Sequence, residues 1–412
     1  MTSYHSVQER RNAIWLKNAI RYRCMRLFPR KRDKKLWVFS AWEGNKYADN
    51  AKYLFEYVAQ NHPEIKCVWQ TKSQRIFEQL RVNGFTVQLI GTMEAELTQK
   101  KAGVAVYTNG LDDFGDYPFI YGAKLVSVWH GVGLKKIYRA QLSEMSRCKL
   151  FLSNLKWDFF SWVKRDLTII TSEYHKKQCI EEFHLKNNDK FYLAGQARDD
   201  VFARKIDINE VFVNEELKHR LKGKKIILYM PTFRENNDVL LQEIERLYKS
   251  EDFKKILIEN NAVFLGKLHY LCRGNIQSNE HAILLNDEDV IDSQKLLKIA
   301  DILITDYSSC AIDYALLRRP ILFYFPKDGY DVKKWMMKDT TEICSTCKAE
   351  TEKECMEKIA VLLKDGSQGI GQSNMLNEIF NEIIDIGSYS ERTYYGICEL
   401  LDIAKECGGT VK

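Results

Sequence analysis

Short apolar runs, separated by longer stretches with helical spacing, recur along nearly the whole chain. Leu36–Ser40, Cys67–Gln70, Thr86–Ile90, Val104–Tyr107, Lys124–Trp129, Leu167–Thr171 and Phe191–Ala194 form a first series. Lys225–Met230, Val263–Gly266, Ala282–Leu285, Ile302–Thr305 and Ile321–Tyr324 form a second. Most of these runs are apolar at nearly every position rather than at alternate ones, as strands of a parallel sheet covered on both faces must be. The intervening segments predict helices, among them one over about 49–60, a long one over about 240–260 and one over about 391–406. Strand and helix in alternation predict an α/β, doubly wound architecture. No internal repeat and no low-complexity tract interrupts it.

A chain of 412 residues exceeds what one core of this kind normally fills, so two domains are expected, with a cleft between them. The polar stretch near residues 196–222 is the best boundary. The expected division is a basic segment over 1–35, a Rossmann-like domain over 36–200, a second over 201–385 and a helical tail over 386–412.

Charge changes this picture at one end. The net charge is only +6, but Arg10, Arg11, Lys17, Arg21, Arg23, Arg26, Arg30, Lys31, Arg32, Lys34 and Lys35 crowd the first segment. Ile14, Trp15, Ala19, Tyr22, Met25 and Phe28 are interleaved at spacings of mostly three or four. This predicts a basic amphipathic helix suited to an anionic membrane surface, where each basic residue contributes about 1 kcal/mol. Packing on the first domain with a solvated basic face is the alternative. No recognised nucleic-acid module follows, so nucleic acid is not an expected partner. No apolar run is long enough to span a bilayer, and the first residues lack the apolar core of a signal peptide. The expected location is therefore the cytoplasm or the cytoplasmic face of the cell membrane, as a peripheral protein. The eleven cysteines are scattered. Cys344 and Cys347 form the only tight pair, no second pair stands at zinc spacing, and no protein metal site is expected. Asp287-Glu288-Asp289 reads as solvated surface.

The candidate chemistry sits at strand ends. The strand Ile302–Thr305 runs into Asp306-Tyr307-Ser308-Ser309, and a helix follows from Cys310. Two hydroxyls at a helix start, at the carboxyl end of a parallel strand, suit a phosphate. Simple capping by Ser308 or Ser309 is the plainer explanation. His130 follows a strand and precedes Gly131, so a ligand can approach an imidazole that accepts a proton near neutral pH. Lys267 and His269 follow another strand and face one side; together they suit a diphosphate and a departing phosphate. Thr232 and Arg234 lie in Pro231-Thr232-Phe233-Arg234, where the guanidinium suits phosphate oxygens. Lys135 and Lys136 extend a positive rim beyond His130. Each residue alone is also explained as a turn, a cap or a solvated charge.

Their order is more specific than any one of them. Ser40-Ala41-Trp42-Glu43-Gly44 with Tyr47, Asp49 and Asn50, then Trp129-His130-Gly131, Gly195-Gln196-Ala197-Arg198-Asp199-Asp200, Pro231-Thr232-Phe233-Arg234, Lys267-Leu268-His269 and Thr305-Asp306-Tyr307-Ser308-Ser309 occur in sequence. Asp313 to Pro320 and Phe323-Tyr324 continue the last. Over roughly residues 36–385 this resembles the CDP-glycerol glycerophosphotransferase family, which includes teichoic-acid primases and polymerases and related capsule enzymes. The resemblance implies a GT-B-like fold of two Rossmann-type domains, the first on the acceptor side and the second binding CDP-polyol. It implies transfer of a polyol phosphate from CDP-glycerol or CDP-ribitol to a hydroxyl of a lipid-linked or polymeric acceptor at the inner membrane surface, with release of CMP. In that scheme His130 is the general base and His269 a second catalytic histidine. Thr232, Arg234, Lys267, Asp306, Ser308 and Ser309 surround the CDP diphosphate, and Gly131 and Lys135 lie on the acceptor side. No organic cofactor is implied, and a divalent cation accompanying the diphosphate is compatible with the scheme. Two departures are evident: Val132-Gly133 stands where the family usually has threonine or serine and proline, and Tyr270 where proline is common. A sugar-nucleotide glycosyltransferase or epimerase of similar architecture, and a non-catalytic polyanion-binding protein at a membrane surface, are the competing readings.

Overall fold

Strand and helix alternate from β1 (Asp33–Phe39) onward in the computed structural model, which describes residues 17, 18, 20, 21, 24, 31–137, 140, 165–232, 238–268, 278–286, 288–326 and 347–403. The chain divides into two units. The first comprises Met1–His130, Leu142–Asp200 and Gly387–Lys412; the second comprises Gly131–Gln141 and Val201–Ile386.

In the first unit β1 is followed by α1 (Asp49–Asn61), β2 (Lys66–Thr71), α2 (Gln74–Val82), β3 (Val87–Leu89), α3 (Met93–Lys101) and β4 (Ala102–Tyr107). Then come β5 (Lys124–Ser127), β6 (Leu167–Ile170), α4 (Glu173–Phe183) and β7 (Phe191–Leu193). The sheet order is β3-β2-β1-β4-β5-β6-β7, with every pairing parallel. Both faces are buried, which is why the strands are apolar without alternation. Trp37 and Phe39 of β1 enter one core with Leu54, Phe55 and Trp69. Leu36 and Val38 enter the other with Val68, Ala105 and Tyr107. Each such side chain contributes roughly 1.5–3 kcal/mol by leaving water.

The second unit contains α5 (Glu215–Leu221), β8 (Lys225–Tyr229), α6 (Asp238–Lys249), α7 (Glu251–Glu259), β9 (Ala262–Lys267), β10 (Ala282–Leu285) and α8 (Ser293–Ile299). It continues with β11 (Ile302–Thr305), α9 (Cys310–Ala315), β12 (Ile321–Tyr324), β13 (Lys348–Ala349), α10 (Glu352–Lys364) and α11 (Ile370–Phe380). Its sheet order is β10-β9-β8-β11-β12-β13, again parallel throughout. The long helix expected over 240–260 is two helices. Ser250 separates them, because its hydroxyl accepts the Phe253 amide at 3.2 Å and Glu251 and Asp252 favour a new helix start. The strand expected to reach Trp129 ends at Ser127.

The last helix, α12 (Tyr389–Leu400), belongs to the first unit. Its Tyr394, Ile397 and Cys398 join the core of Leu54 and Val58 from α1. Asp200 fixes its start, accepting the amides of Tyr389 at 2.9 Å and Ser390 at 2.8 Å. The described part of the basic N-terminal segment also lies on the first unit. Asn18 donates to the Asp116 carbonyl at 2.7 Å, and Arg21 lies 4.5 Å from the ring centre of Phe119. Lys17, Ile20 and Cys24 are exposed. Among the described residues no helix is long and apolar enough to cross a membrane.

A buried glutamine network secures the loop beyond β4. Gln99 donates to Gln70 Oε1 at 2.9 Å and to the Phe114 carbonyl at 3.1 Å, and accepts the Phe119 amide at 2.6 Å. Gln70 donates in turn to Gln88 at 3.0 Å. Gln99→Leu leaves these partners unsatisfied. It is expected to lower unfolding stability by about 3 kcal/mol, read from urea denaturation.

Candidate active site

Each sheet reverses its strand order at one place, between β1 and β4 in the first and between β8 and β11 in the second. Open α/β sheets bind ligands outside the carboxyl ends of the strands at such points. At the first, the loop after β1 takes a left-handed course, with φ of 52° at Trp42, 56° at Glu43 and 81° at Gly44. Asp113 holds it there. This fully buried carboxylate accepts the amides of Glu43 at 2.6 Å, Thr108 at 2.8 Å and Asn109 at 3.1 Å. Burial pushes its pKa up to about 6, against the pull of those amides. The Thr108 hydroxyl accepts the Trp42 amide at 3.2 Å.

His130 lies at the carboxyl end of β5, between Trp129 with φ of 51° and Gly131 with φ of 136°. The left-handed Trp129 is held by Asn50, whose amide donates to the carbonyls of Val128 at 2.9 Å and Trp129 at 3.1 Å. Arg198 arrives from the 3-10 turn Ala197–Ala203. One of its nitrogens donates to the His130 carbonyl and to Asp49 Oδ1, each at 2.7 Å. Its amide donates to Asn50 Oδ1 at 3.1 Å. Asp49 also accepts the indole N–H of Trp42. The imidazole lies 5.0 Å from the Trp42 ring and 4.0 Å from the Trp129 ring, centre to centre. Burial lowers its pKa to about 4; the Asp49 charge opposes this, the Arg198 charge adds to it, and a contact with the Thr108 backbone opposes it. His130 is therefore neutral at physiological pH and available to take a proton.

At the second reversal Asp306 plays the part that Asp113 plays at the first. It is fully buried beyond β11 and accepts the amide of Thr232, beyond β8, at 2.8 Å. The Thr305 hydroxyl donates to the Met230 carbonyl at 2.6 Å. Lys267 ends the neighbouring strand β9 and is buried. Ser309 occupies the cap position of α9, but its side chain makes no capping hydrogen bond. Ser308 and Ser309 are both half-buried, and the Cys310 thiol beside them is pushed up to about 11 by burial and stays protonated. Tyr307 stacks on Phe325 at 4.7 Å. Asp313, by contrast, is occupied by the Gln294 amide at 3.2 Å.

Of the residues singled out by sequence, Thr232, Lys267, Asp306, Ser308 and Ser309 thus share the carboxyl edge of three adjacent strands. Gly131 and Lys135 fall in the segment Gly131–Gln141, which is part of the second unit. Arg234, His269, Cys344 and Asp287 lie outside the described residues. Among the described residues no group of three or more His, Cys, Asp and Glu side chains could hold a metal ion. Thr108 and Asp113 escaped the sequence reading, although a polar Thr108-Asn109-Gly110 turn after a buried strand marks the place. Asp49, Asn50 and Arg198 stood in quoted motifs without a role.

Residues 21–399 match the family described as CDP-Glycerol:Poly(glycerophosphate) glycerophosphotransferase. The chain belongs to this family. It is accordingly an enzyme, a transferase of the CDP-glycerol glycerophosphotransferase type. It is 29% identical over 325 residues to the teichoic acid poly(glycerol phosphate) polymerase of Bacillus spizizenii, covering 75% of this chain and 77% of that protein. It is 31% identical over 243 residues to the teichoic acid poly(ribitol-phosphate) polymerase of the same organism, covering 55% of this chain and 36% of that protein. The solved structure of the wall teichoic acid polymerase TagF is similar with a TM-score of 0.68 at 20% identity, over 99% of this chain and 100% of that one. At that identity the likeness establishes the fold, which is GT-B-like.

The Arg198–Asp49 pair yields a test independent of turnover. His130 titrates below its unfolded value of 6.5, so its neutral form supports stability fully above that pH and the support is lost as pH falls toward about 4. Arg198→Met removes a cation that lowers this value, so the His130 titration moves upward, as NMR of the imidazole protons will show. Arg198→Lys moves it less. The methionine variant also leaves the half-buried Asp49 with only the Trp42 indole and frees the His130 carbonyl, and is expected to lose about 1–3 kcal/mol of stability.

Proposed function

We propose that this transferase moves glycerol phosphate, or another polyol phosphate such as ribitol phosphate, from a CDP-polyol to a hydroxyl of a lipid-linked or polymeric acceptor, releasing CMP. The polymer under construction is a teichoic acid or a related capsule polysaccharide. The family match over residues 21–399 carries this reading. The neutral His130 beside two indoles and the Thr232–Asp306 edge of the second unit supply groups of the right chemistry.

His130 takes the proton of the acceptor hydroxyl. The oxygen attacks the phosphorus bearing the polyol, an oxygen–phosphorus bond forms, and the anhydride bond to CMP breaks. Lys267, His269 and Arg234 balance the charge that develops on departing CMP, and Ser308 and Ser309 donate to its phosphate. Thr232 and Asp306 fix the loops that carry these groups. Gly131 and Lys135 serve the acceptor side, and a divalent cation accompanying the diphosphate is compatible with the scheme.

The decisive assay offers CDP-glycerol, CDP-ribitol and UDP-sugars separately and measures released CMP or UDP. CMP release with a CDP-polyol is expected; UDP release alone makes the enzyme a sugar-nucleotide transferase instead. His130→Ala is expected to cost about 10²–10⁴-fold in kcat, and His269→Ala about 10²–10³-fold, both with unchanged circular dichroism.

The enzyme works at the cytoplasmic face of the cell membrane as a peripheral protein, with the basic segment as its contact. Support comes from the cation-rich composition of residues 10–35 and from the exposed Lys17 and Ile20. Deleting residues 1–30, which stops short of β1, is expected to abolish sedimentation with anionic vesicles, and undiminished sedimentation would sink the assignment.

A further inference from the structure

The loop that carries Trp42 also carries a cation that proton transfer does not require. Lys46 is exposed, and its ammonium lies 5.0 Å from the centre of the Trp42 ring. The same ring lies 5.0 Å from the imidazole of His130, which puts the ammonium within about 10 Å of it. The platform is rigid, since Thr108 holds the Trp42 amide, Asp113 the Glu43 amide and Asp49 the indole N–H. An ammonium seated on an indole keeps its charge directed to solvent but gives up rotamer freedom in advance. A second lysine is seated in the same way six positions further on. Lys52, in the first turn of α1, lies 4.8 Å from the Tyr53 ring and 5.6 Å from the Tyr47 ring. The carboxylate of Asp49 is already engaged by Arg198, and Glu43, half-buried, is the other acid of this loop.

We propose that Lys46, seated on Trp42, contacts a phosphodiester already present in the acceptor. The enzyme would then extend an anionic polyol-phosphate chain in preference to starting one on a neutral glycoside. The inference rests on the reading of His130 as the base. Its geometry is that of the polymer itself: with bonds of about 1.5 Å, a terminal hydroxyl and the phosphate across one three-carbon unit are separated by roughly 6 Å when extended. A hydroxyl in hydrogen-bond reach of His130 thus brings its own preceding phosphate into reach of Lys46.

The test uses the full chain, whichever CDP-polyol supports CMP release, and two small acceptors of similar length: glycerophosphoglycerol, which carries one phosphodiester, and triglycerol, which is uncharged. The wild type is expected to prefer glycerophosphoglycerol in kcat/KM, and added NaCl is expected to erode the preference. Lys46→Glu is expected to reduce the preference about tenfold, chiefly through KM, and Lys46→Arg to retain it. An unchanged preference in Lys46→Glu overturns the inference, as does an equal loss with both acceptors, which is the mark of a merely structural lysine. No CMP release with any CDP-polyol and either acceptor overturns the transfer reading, and this inference with it.

Discussion

The carboxylate of Asp113 takes three backbone amides and a hydroxyl in a place water does not reach. Two loops diverge there from adjacent parallel strands, and their N–H groups would otherwise face an apolar interior unpaired, at about 1–3 kcal/mol each. One side chain satisfies both loops and so fixes where the crevice lies. Thr108 passes the constraint on to Trp42, and Trp42 passes it to Asp49 and the imidazole. The second sheet has the same topology and meets the same demand with Asp306 and the Thr232 amide. The resemblance between the two arrangements follows from strand order rather than from sequence similarity between the halves.

The surroundings of His130 combine opposing influences. Dense packing between two indoles favours the neutral ring, and the nearest carboxylate favours the charged one. Arg198 moderates the carboxylate, and because the same guanidinium nitrogen also grips the His130 carbonyl, electrostatic environment and backbone position depend on one residue. Left-handed backbone at a bulky residue such as Trp129 costs roughly 1–2 kcal/mol. The two hydrogen bonds from Asn50 offset it. Strain, charge and orientation are concentrated within a few residues around one imidazole.

Most of the fold is legible in the order of residues because burial on both faces imposes an unmistakable pattern. Ile302–Thr305 and Ile321–Tyr324 coincide with β11 and β12. The errors occur where a single polar side chain overrides the apolar spacing. Ser250 divides a continuous amphipathic stretch into two helices, and nothing in its neighbours' hydrophobicity shows this. The candidate site is legible in part, since His130, Lys267 and Asp306 stand at the carboxyl ends of strands. The residues that hold them are harder to see. Arg198 is 68 positions from His130 and Asp113 is 70 from Glu43. Such pairings are made by topology, and a local pattern carries no trace of them.

Asp200 has a consequence for how the chain is threaded. The polypeptide departs from the first unit just after this residue and comes back just before Tyr389, whose amide the same carboxylate binds. The long excursion between them therefore begins and ends within the span of one side chain, so the first unit feels it as a brief detour. Aside from the short stretch Gly131–Gln141, a lobe attached in this way can be lengthened, shortened or exchanged without unravelling its neighbour. Descendants of such a scaffold are free to alter the second unit while the unit that holds His130 stays as it was.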